Sequence, residues 1–326
     1  MKRRKVSKFD DQYIDLCKRI LAQGEKITNY KKTDNRSASV SAAIPDHTAQ
    51  ANSGSQTIRL PHQVLQFDLT EEFPILTSKK VAFKTAVLEI LWIYQVASND
   101  VRWLKDRNIK IWDEWRVAED GTYQGRNINQ IFATNHPNEP AEDFAHTIGT
   151  AYGWIVKKYH LIENLIETLK NNPGNRRMVL SLWQNEWLET AALPSCVWNS
   201  QWNLIDGHLN LLVTSRSSDV PLGLPFNVVQ YAVLCHLIAQ SVGAKPGQFT
   251  FITNDAHIYE NQIDGIKEQI ARYDQAKKDG TLPEAPKLWL NPEITDFYAF
   301  DNSRELKDIK LENYQNLGTI KMPVTE

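Results

Sequence analysis

The sequence predicts an α+β fold: a single domain over residues 1–326, with a twisted, mostly mixed sheet packed on helices around a central buried helix. Three observations predict it. Asp206-Gly207 separates two apolar-rich runs, Val197 to Ile205 and His208 to Ser215, and an Asp-Gly so placed is the strongest short hairpin signal. Apolar residues wrap most of the way around the stretch from Asn227 to Val242, so a helix there is buried on nearly all sides. Helical and strand-like runs interleave with neither an internal repeat nor a linker that would divide the chain.

Composition bounds the function. With 326 residues and 42% hydrophobic side chains, the chain can bury a core of its own. A formal charge of −2 gives no overall bias towards nucleic acid or an anionic membrane, so any anion site is local. Three widely spaced cysteines, Cys17, Cys196 and Cys235, read as reduced thiols in a cytoplasmic compartment rather than as a disulfide framework. The basic segment Met1 to Lys8 runs into Phe9-Asp10-Asp11 instead of an apolar run, and is expected to be an N-terminal extension, not a secretory signal. No apolar run approaches the ~18 residues of a membrane span.

Taken in order, the chain opens with an amphipathic helix from about Asp11 to Gly24. Residues 29–56 read as a long ligand-binding or mobile loop, with Arg36 as its only arginine. Thr57 to Leu69 predicts a strand pair interrupted at Pro61, and Phe83 to about Ala97 an apolar helix. Ala118 to His146 is expected to be irregular. Tyr159 to Lys170 predicts an amphipathic helix ended by Asn171-Asn172-Pro173-Gly174, and Met178 to Trp183 a buried strand. Beyond the hairpin and the buried helix, Phe249 to Thr253 predicts a strand, followed by a helix to about Tyr273.

Chemistry gathers at Leu193-Pro194-Ser195-Cys196, where a proline-set turn delivers a thiol to the start of a strand. A free cysteine is commonly a buried, inert hydrophobe, but this one has Arg176-Arg177 upstream and Arg216 downstream, residues suited to bidentate phosphate binding. Glu89 lies among Val87, Leu88, Ile90, Leu91 and Trp92, so it needs a partner or takes a raised pKa. Trp112 and Trp115 fit either core packing or a stacking wall for a flat heterocycle.

These motifs in this order resemble thymidylate synthase: Pro74-Ile75-Leu76-Thr77-Ser78-Lys79-Lys80, Glu89-Ile90-Leu91-Trp92, Ile111-Trp112-Asp113-Glu114-Trp115, Gly149-Thr150-Ala151-Tyr152-Gly153, Asn175-Arg176-Arg177, Leu193-Pro194-Ser195-Cys196, Arg216-Ser217-Ser218-Asp219, Leu222-Gly223-Leu224-Pro225-Phe226-Asn227 and Asp255-Ala256-His257-Ile258-Tyr259. The likeness covers about residues 10 to 325 and points to Bacillus-type and phage-like members. It implies methylation of dUMP to dTMP with 5,10-methylenetetrahydrofolate as carbon and hydride donor, without metal or nucleic acid, through attack of Cys196 on uracil C6. It further implies that Glu89 moves protons through ordered water, that Tyr152 joins the network around Cys196, and that Asn227 reads the pyrimidine edge. Arg216 and Ser217 would hold the phosphate, with Arg36 as a weaker candidate. Arg176 and Arg177 would reach it from the partner of a homodimer formed through the sheet face. His257 and Tyr259 would hold the ribose 3′-hydroxyl. Asp219, Trp112, Trp115, Leu222, Gly223 and Phe226 would line the folate site, Asp219 also serving catalysis.

The chain departs from the family pattern at Val197, where many members carry histidine, at Asn254, at Trp154-Ile155-Val156, in the loop after Arg36 and at Pro323-Val324-Thr325-Glu326. The last two departures keep a phage-type deoxyuridylate hydroxymethylase in view, in which water captures the methylene intermediate. A cysteine hydrolase built on Cys196, His257 and Asp219 leaves Glu89, Asn227 and the arginines without work. A catalytically silent nucleotide-binding relative would have no need of Cys196 and Glu89.

Overall fold

Ser7 begins a helix by accepting the Asp10 amide on its hydroxyl, and α1, Lys8–Gln23, runs from it to a cap at Gly24. The computed structural model describes residues 7–29 and 55–324. The helix thus starts before Asp11, and Lys8, expected in the extension, is its first residue; residues 1–6 lie outside the described ones. Buried Asp10 accepts from the Thr77 amide, the Thr77 hydroxyl and the Ser78 amide, tying α1 to the segment Pro74 to Lys80.

Seven strands make the main sheet among the described residues: β1 Glu25–Asn29, β2 Ser55–Asp68, β3 Val179–Ser181, β4 Val197–Ile205, β5 His208–Ser215, β6 Ser218–Asp219 and β7 Lys245–Tyr259. Their order is β1-β2-β7-β5-β4-β3, with β6 beside β7. Strands β5 and β6 run parallel to β7 and the remaining pairs are antiparallel, so the sheet is mixed as expected. Asn29 pairs with Ser55 and Thr28 with Gln56, so the predicted loop loses both its ends to strands. Its interior, Arg36 included, lies outside the described residues.

Pro61 does not split β2. Pairing with β1 reaches only Arg59, so beyond it the proline needs no ladder donor on that side. His62, with a φ of 50°, lies between the pairs Pro61–Asp255 and Gln63–Thr253, and the register is the same on either side of it. Strand β3 is shorter than expected and lies at the sheet edge, with Val179 exposed. Strand β7 is longer, so Asp255, His257 and Tyr259 sit on it rather than after it.

Helix α2, Phe83–Tyr94, ends short of Ala97, which takes a φ of 49°. The helix expected from Tyr159 begins at Leu161, as α4 Leu161–Asn171, after His160 in the left-handed region; a separate short helix, α3 Gly153–Lys158, precedes it. Helix α5, Gly223–Ser241, is the buried one; it begins before Asn227 because Pro225 falls in its first turn, where a missing N–H forfeits no intrahelical bond. It packs on α2 and on β5 and β7. Helix α6, Ile263–Asp279, runs past Tyr273 to Gly280, whose φ of 67° stops it. The stretch from Ala118 is less irregular than expected, holding a short hairpin of Thr122–Tyr123 with Arg126–Asn127 and a helix Ile128–Asn135.

Alternate residues of β5 divide the sheet's faces: Leu209, Leu211, Val213 and Ser215 are buried, while His208, Asn210, Leu212 and Thr214 are half-buried. Val64 and Val179 are about half exposed, at 54% and 48%.

Candidate active site

A bulge aligns the thiol with its arginine. Asp206, with φ 49°, and Gly207, with φ 72°, form a primed turn that pairs Ile205 with His208, and the register runs evenly to Asn199 opposite Thr214. Between Asn199 and Val197 it shifts, so Val197 faces Ser215 and the next residue, Cys196, faces Arg216. The Arg216 amide donates to the Cys196 carbonyl at 2.9 Å. Its guanidinium donates to the carbonyls of Pro194 at 2.9 Å and Ser195 at 3.2 Å, and Nη2 lies 3.7 Å from Cys196 Sγ. The thiol is partly exposed, whereas Cys17 and Cys235 are buried and burial pushes each up to about 12. Of the three described cysteines, Cys196 alone combines access with an adjacent cation.

Tyr152 reaches the same turn from across the site, accepting the Cys196 amide on its hydroxyl at 3.0 Å. Its backbone, φ 47° and ψ −106°, is strained for a tyrosine. Glycines on either side let other backbone pack close to the segment: a Cβ on Gly149 would meet the Thr190 carbonyl at 2.0 Å, and one on Gly153 the Ser98 carbonyl at 2.0 Å.

Glu89 lies on α2 and is buried as expected. Trp112 Nε1 donates to its Oε1 at 2.7 Å and Gln230 Nε2 to its Oε2 at 2.6 Å. Burial raises the carboxyl to about 7, against the smaller downward pull of those two hydrogen bonds. Trp112 also meets Tyr152 and Trp115 edge-on, at 5.3 and 5.5 Å between ring centroids, so it belongs to the Glu89 shell as well as to an aromatic wall. Asn227 Nδ2 donates to Gln230 Oε1 at 3.1 Å, which links Asn227 to Glu89 through one amide.

Asp219 is paired with His257 in parallel register. Its Oδ1 accepts from the Leu222 amide and its Oδ2 from Gln262 Nε2, both at 3.0 Å; burial raises its carboxyl despite these bonds. Leu222, Gly223 and Phe226, at the start of α5, are partly exposed beside it. Lys79, also buried, donates to the Pro221 carbonyl, and burial lowers its ammonium to about 8. His257 Nδ1 lies 2.9 Å from Asp255 Oδ1, and Asp255 Oδ2 is paired with Arg59 at 2.8 Å. Tyr259 stands edge-on to His257 at 5.2 Å. Ser217, partly exposed, gives its carbonyl to the Ser215 hydroxyl.

Arg176 and Arg177 do not join this cluster within one chain. Both are exposed, and the Trp202 amide donates to the Met178 carbonyl, which sets the arginines beyond Trp202. Six residues of strand separate Trp202 from Cys196, or roughly 20 Å.

Three residues that the sequence analysis passed over belong here: Gln230, Gln262 and Arg59. Gln230 carried a signal, a polar residue in an otherwise apolar helix; Arg59 and Gln262 acquire their roles only through strand register and packing. Among the described residues there is no cluster of three or more His, Cys, Asp or Glu able to hold a metal, and no helix long and apolar enough to cross a membrane.

A family model described as thymidylate synthase matches residues 11–326. The chain is 45% identical to the thymidylate synthase of Clostridium beijerinckii over 320 residues, covering 98% of this chain and 100% of that one. It is 37% identical to the thymidylate synthase of Bacillus phage phi3T, covering 95% and 96% respectively. Among solved structures it matches the thermostable thymidylate synthase A of Bacillus subtilis with a TM-score of 0.74 at 33% identity, over 97% of this chain and 99% of the other.

Proposed function

The chain belongs to the thymidylate synthase family, and on that premise we propose Cys196 as the nucleophile, Glu89 as the proton-transfer group and Asn227 as the pyrimidine reader. The reaction is the methylation of dUMP to dTMP, and the enzyme is a methyltransferase that binds dUMP and a folate. The relatives are named as synthases, and the hydroxymethylase alternative finds no support in them. Thr325 and Glu326, part of the motive for that alternative, lie outside the described residues.

The observation that carries the residue assignments is the bulge-set pairing of Arg216 with Cys196, with Nη2 3.7 Å from the sulfur. A guanidinium there stands beside the sulfur and, with Ser217, offers donors to the substrate phosphate. The thiolate adds to C6 of the uracil ring, making C5 the carbon nucleophile. Methylenetetrahydrofolate, the family's co-substrate, supplies the one-carbon unit and then the hydride. A carboxyl at about 7 exchanges protons near neutrality, which suits Glu89 to both directions of transfer. His257, with Nδ1 engaged by Asp255, keeps Nε2 for the ribose hydroxyl beside Tyr259. The donor set at Asp219 fits a pterin: a buried carboxyl, the indoles of Trp112 and Trp115, and the apolar wall of Leu222, Gly223 and Phe226.

The same reading makes the working unit a homodimer. The roughly 20 Å that separates Arg176 and Arg177 from Cys196 along one chain supports their delivery by a second copy. The sheet face carrying Val64, Val179 and Leu212, with Gln66 and Gln201 exposed beside them, is open in the single chain and supports pairing through it. A cytoplasmic location fits three free cysteines. Incubation with dUMP tritiated at C5 and methylenetetrahydrofolate tests the assignments: tritium release and dihydrofolate absorbance rise in step in the parent enzyme and vanish in Cys196→Ala. Retention of both signals by that variant would overturn the nucleophile.

A further inference from the structure

We propose that Gln230 is a positioning residue that fixes which way the Asn227 amide faces and ties that choice to the ionisation of Glu89. The proposal rests on reading Asn227 as the pyrimidine contact. Gln230 is 3% exposed on α5, and its two amide atoms each have one partner, Glu89 Oε2 for the nitrogen and Asn227 Nδ2 for the oxygen. An ionised carboxylate accepts only, so it compels Gln230 to turn its NH₂ towards Glu89 and its carbonyl towards Asn227. Asn227 must then turn its own NH₂ towards Gln230. One remaining N–H and the Oδ1 acceptor are left for the substrate, the pair that O4 and N3–H of uracil require.

Reversing Gln230 would leave two carbonyls facing each other at Asn227, or compel Asn227 to reverse as well. A reversed Asn227 would present the opposite pattern to the ring and disfavour uracil. The buried Gln230 amide leaves little room for a mixed arrangement, because an unmatched donor or acceptor there loses its hydrogen bond without water to replace it. Trp112 fixes the other carboxylate oxygen, so Glu89 cannot rotate to release Gln230. The titratable groups around Glu89 are Tyr152 and Tyr231, with Tyr94 hydrogen-bonded to Tyr231; burial pushes all three hydroxyls up, and they stay neutral while Glu89 titrates.

Two variants separate the halves of this coupling. Gln230→Met removes both hydrogen bonds. It is expected to weaken dUMP binding about tenfold or more, to narrow the preference for dUMP over dCMP by about tenfold, and to move the pH inflection of Glu89 upwards. Gln230→Glu keeps the acceptor facing Asn227 but loses the donor to Glu89; it is expected to retain the dUMP preference while the inflection still moves up. Both are read by calorimetric titration of full-length enzyme with dUMP and with dCMP between pH 5.5 and 8.5, with thermal melting as the check on folding. Binding needs no turnover, so it reports on Gln230 even if tritium release from the parent refutes the catalytic assignments. A dUMP-to-dCMP ratio and an inflection unchanged in Gln230→Met would overturn the proposal, as would Gln230→Glu losing the preference to the same extent as Gln230→Met.

Discussion

The Arg216 guanidinium holds the carbonyls of Pro194 and Ser195 and stands 3.7 Å from the sulfur of Cys196, so one side chain both shapes the turn and supplies the charge beside the proposed nucleophile. A lysine could supply the charge but not the fork of donors. Arg216→Lys is therefore expected to raise the KM for dUMP by about tenfold or more and to slow iodoacetamide alkylation of Cys196 at neutral pH. An alkylation rate equal to the parent's would separate the thiol's reactivity from Arg216.

Removing the nucleophile tests the chemistry without threatening the fold. Cys196 is partly exposed and carries no packing that alanine would leave as a sealed cavity. Cys196→Ala is expected to lose roughly 10³-fold or more of kcat, with a melting temperature close to the parent's and dUMP binding retained.

Glu89 links catalysis to stability. Its carboxyl, at about 7 in the folded protein and about 4.3 in an unfolded chain, binds its proton more tightly when folded. Its contribution to stability is thus complete below about pH 4 and is lost as pH rises to about 7, a loss of roughly 4 kcal/mol. Glu89→Gln should lower kcat by about 10²–10⁴-fold while melting higher than the parent at pH 8 and showing no such advantage at pH 5. Parallel melting curves at both pH values would show that ionising Glu89 costs the fold nothing.

Much of this site was legible because short motifs carry their own geometry. Cys196 and Glu89 sit in stretches whose residue types suggest chemistry, Asn227 and His257 take their proposed roles from the family resemblance of their motifs, and the Asp206-Gly207 turn fixes the hairpin that delivers the thiol. Element ends were less legible. Pro61 lies inside β2 because its neighbour β1 stops at Arg59, and β7 extends through Tyr259 because both β2 and β6 pair with it there. Those are non-local facts, invisible to a window of sequence. The same holds for Gln262, whose Nε2 joins Asp219 to the Pro323 carbonyl across regions far apart in the chain.

That bridge yields a prediction for the folate side. Gln262 accepts the Tyr259 amide on Oε1 and donates to both Asp219 and Pro323, so it holds the Asp219 carboxyl against the C-terminal segment. Gln262→Leu is expected to raise the KM for methylenetetrahydrofolate by about tenfold and to leave the dissociation constant for dUMP within about threefold. A rise confined to dUMP would instead place the effect of Gln262 on Tyr259.

Arg59 bears on the ribose. Burial pushes the Asp255 carboxyl up, but the hydrogen bonds from His257 and Arg59 and the charge of Arg59 outweigh it, and the carboxyl ends below its usual range. Arg59 therefore helps keep Asp255 ionised, and ionised Asp255 holds the proton of His257 on Nδ1 and leaves Nε2 free to accept from the 3′-hydroxyl. Arg59→Met keeps the length of the side chain and removes the charge. It should raise the KM for dUMP by about three- to tenfold and have little effect on the 3′-deoxy analogue, which offers His257 nothing to hold. Equal losses for the two nucleotides would mean that Arg59 acts on the phosphate or on the fold of β2, not through Asp255 and His257.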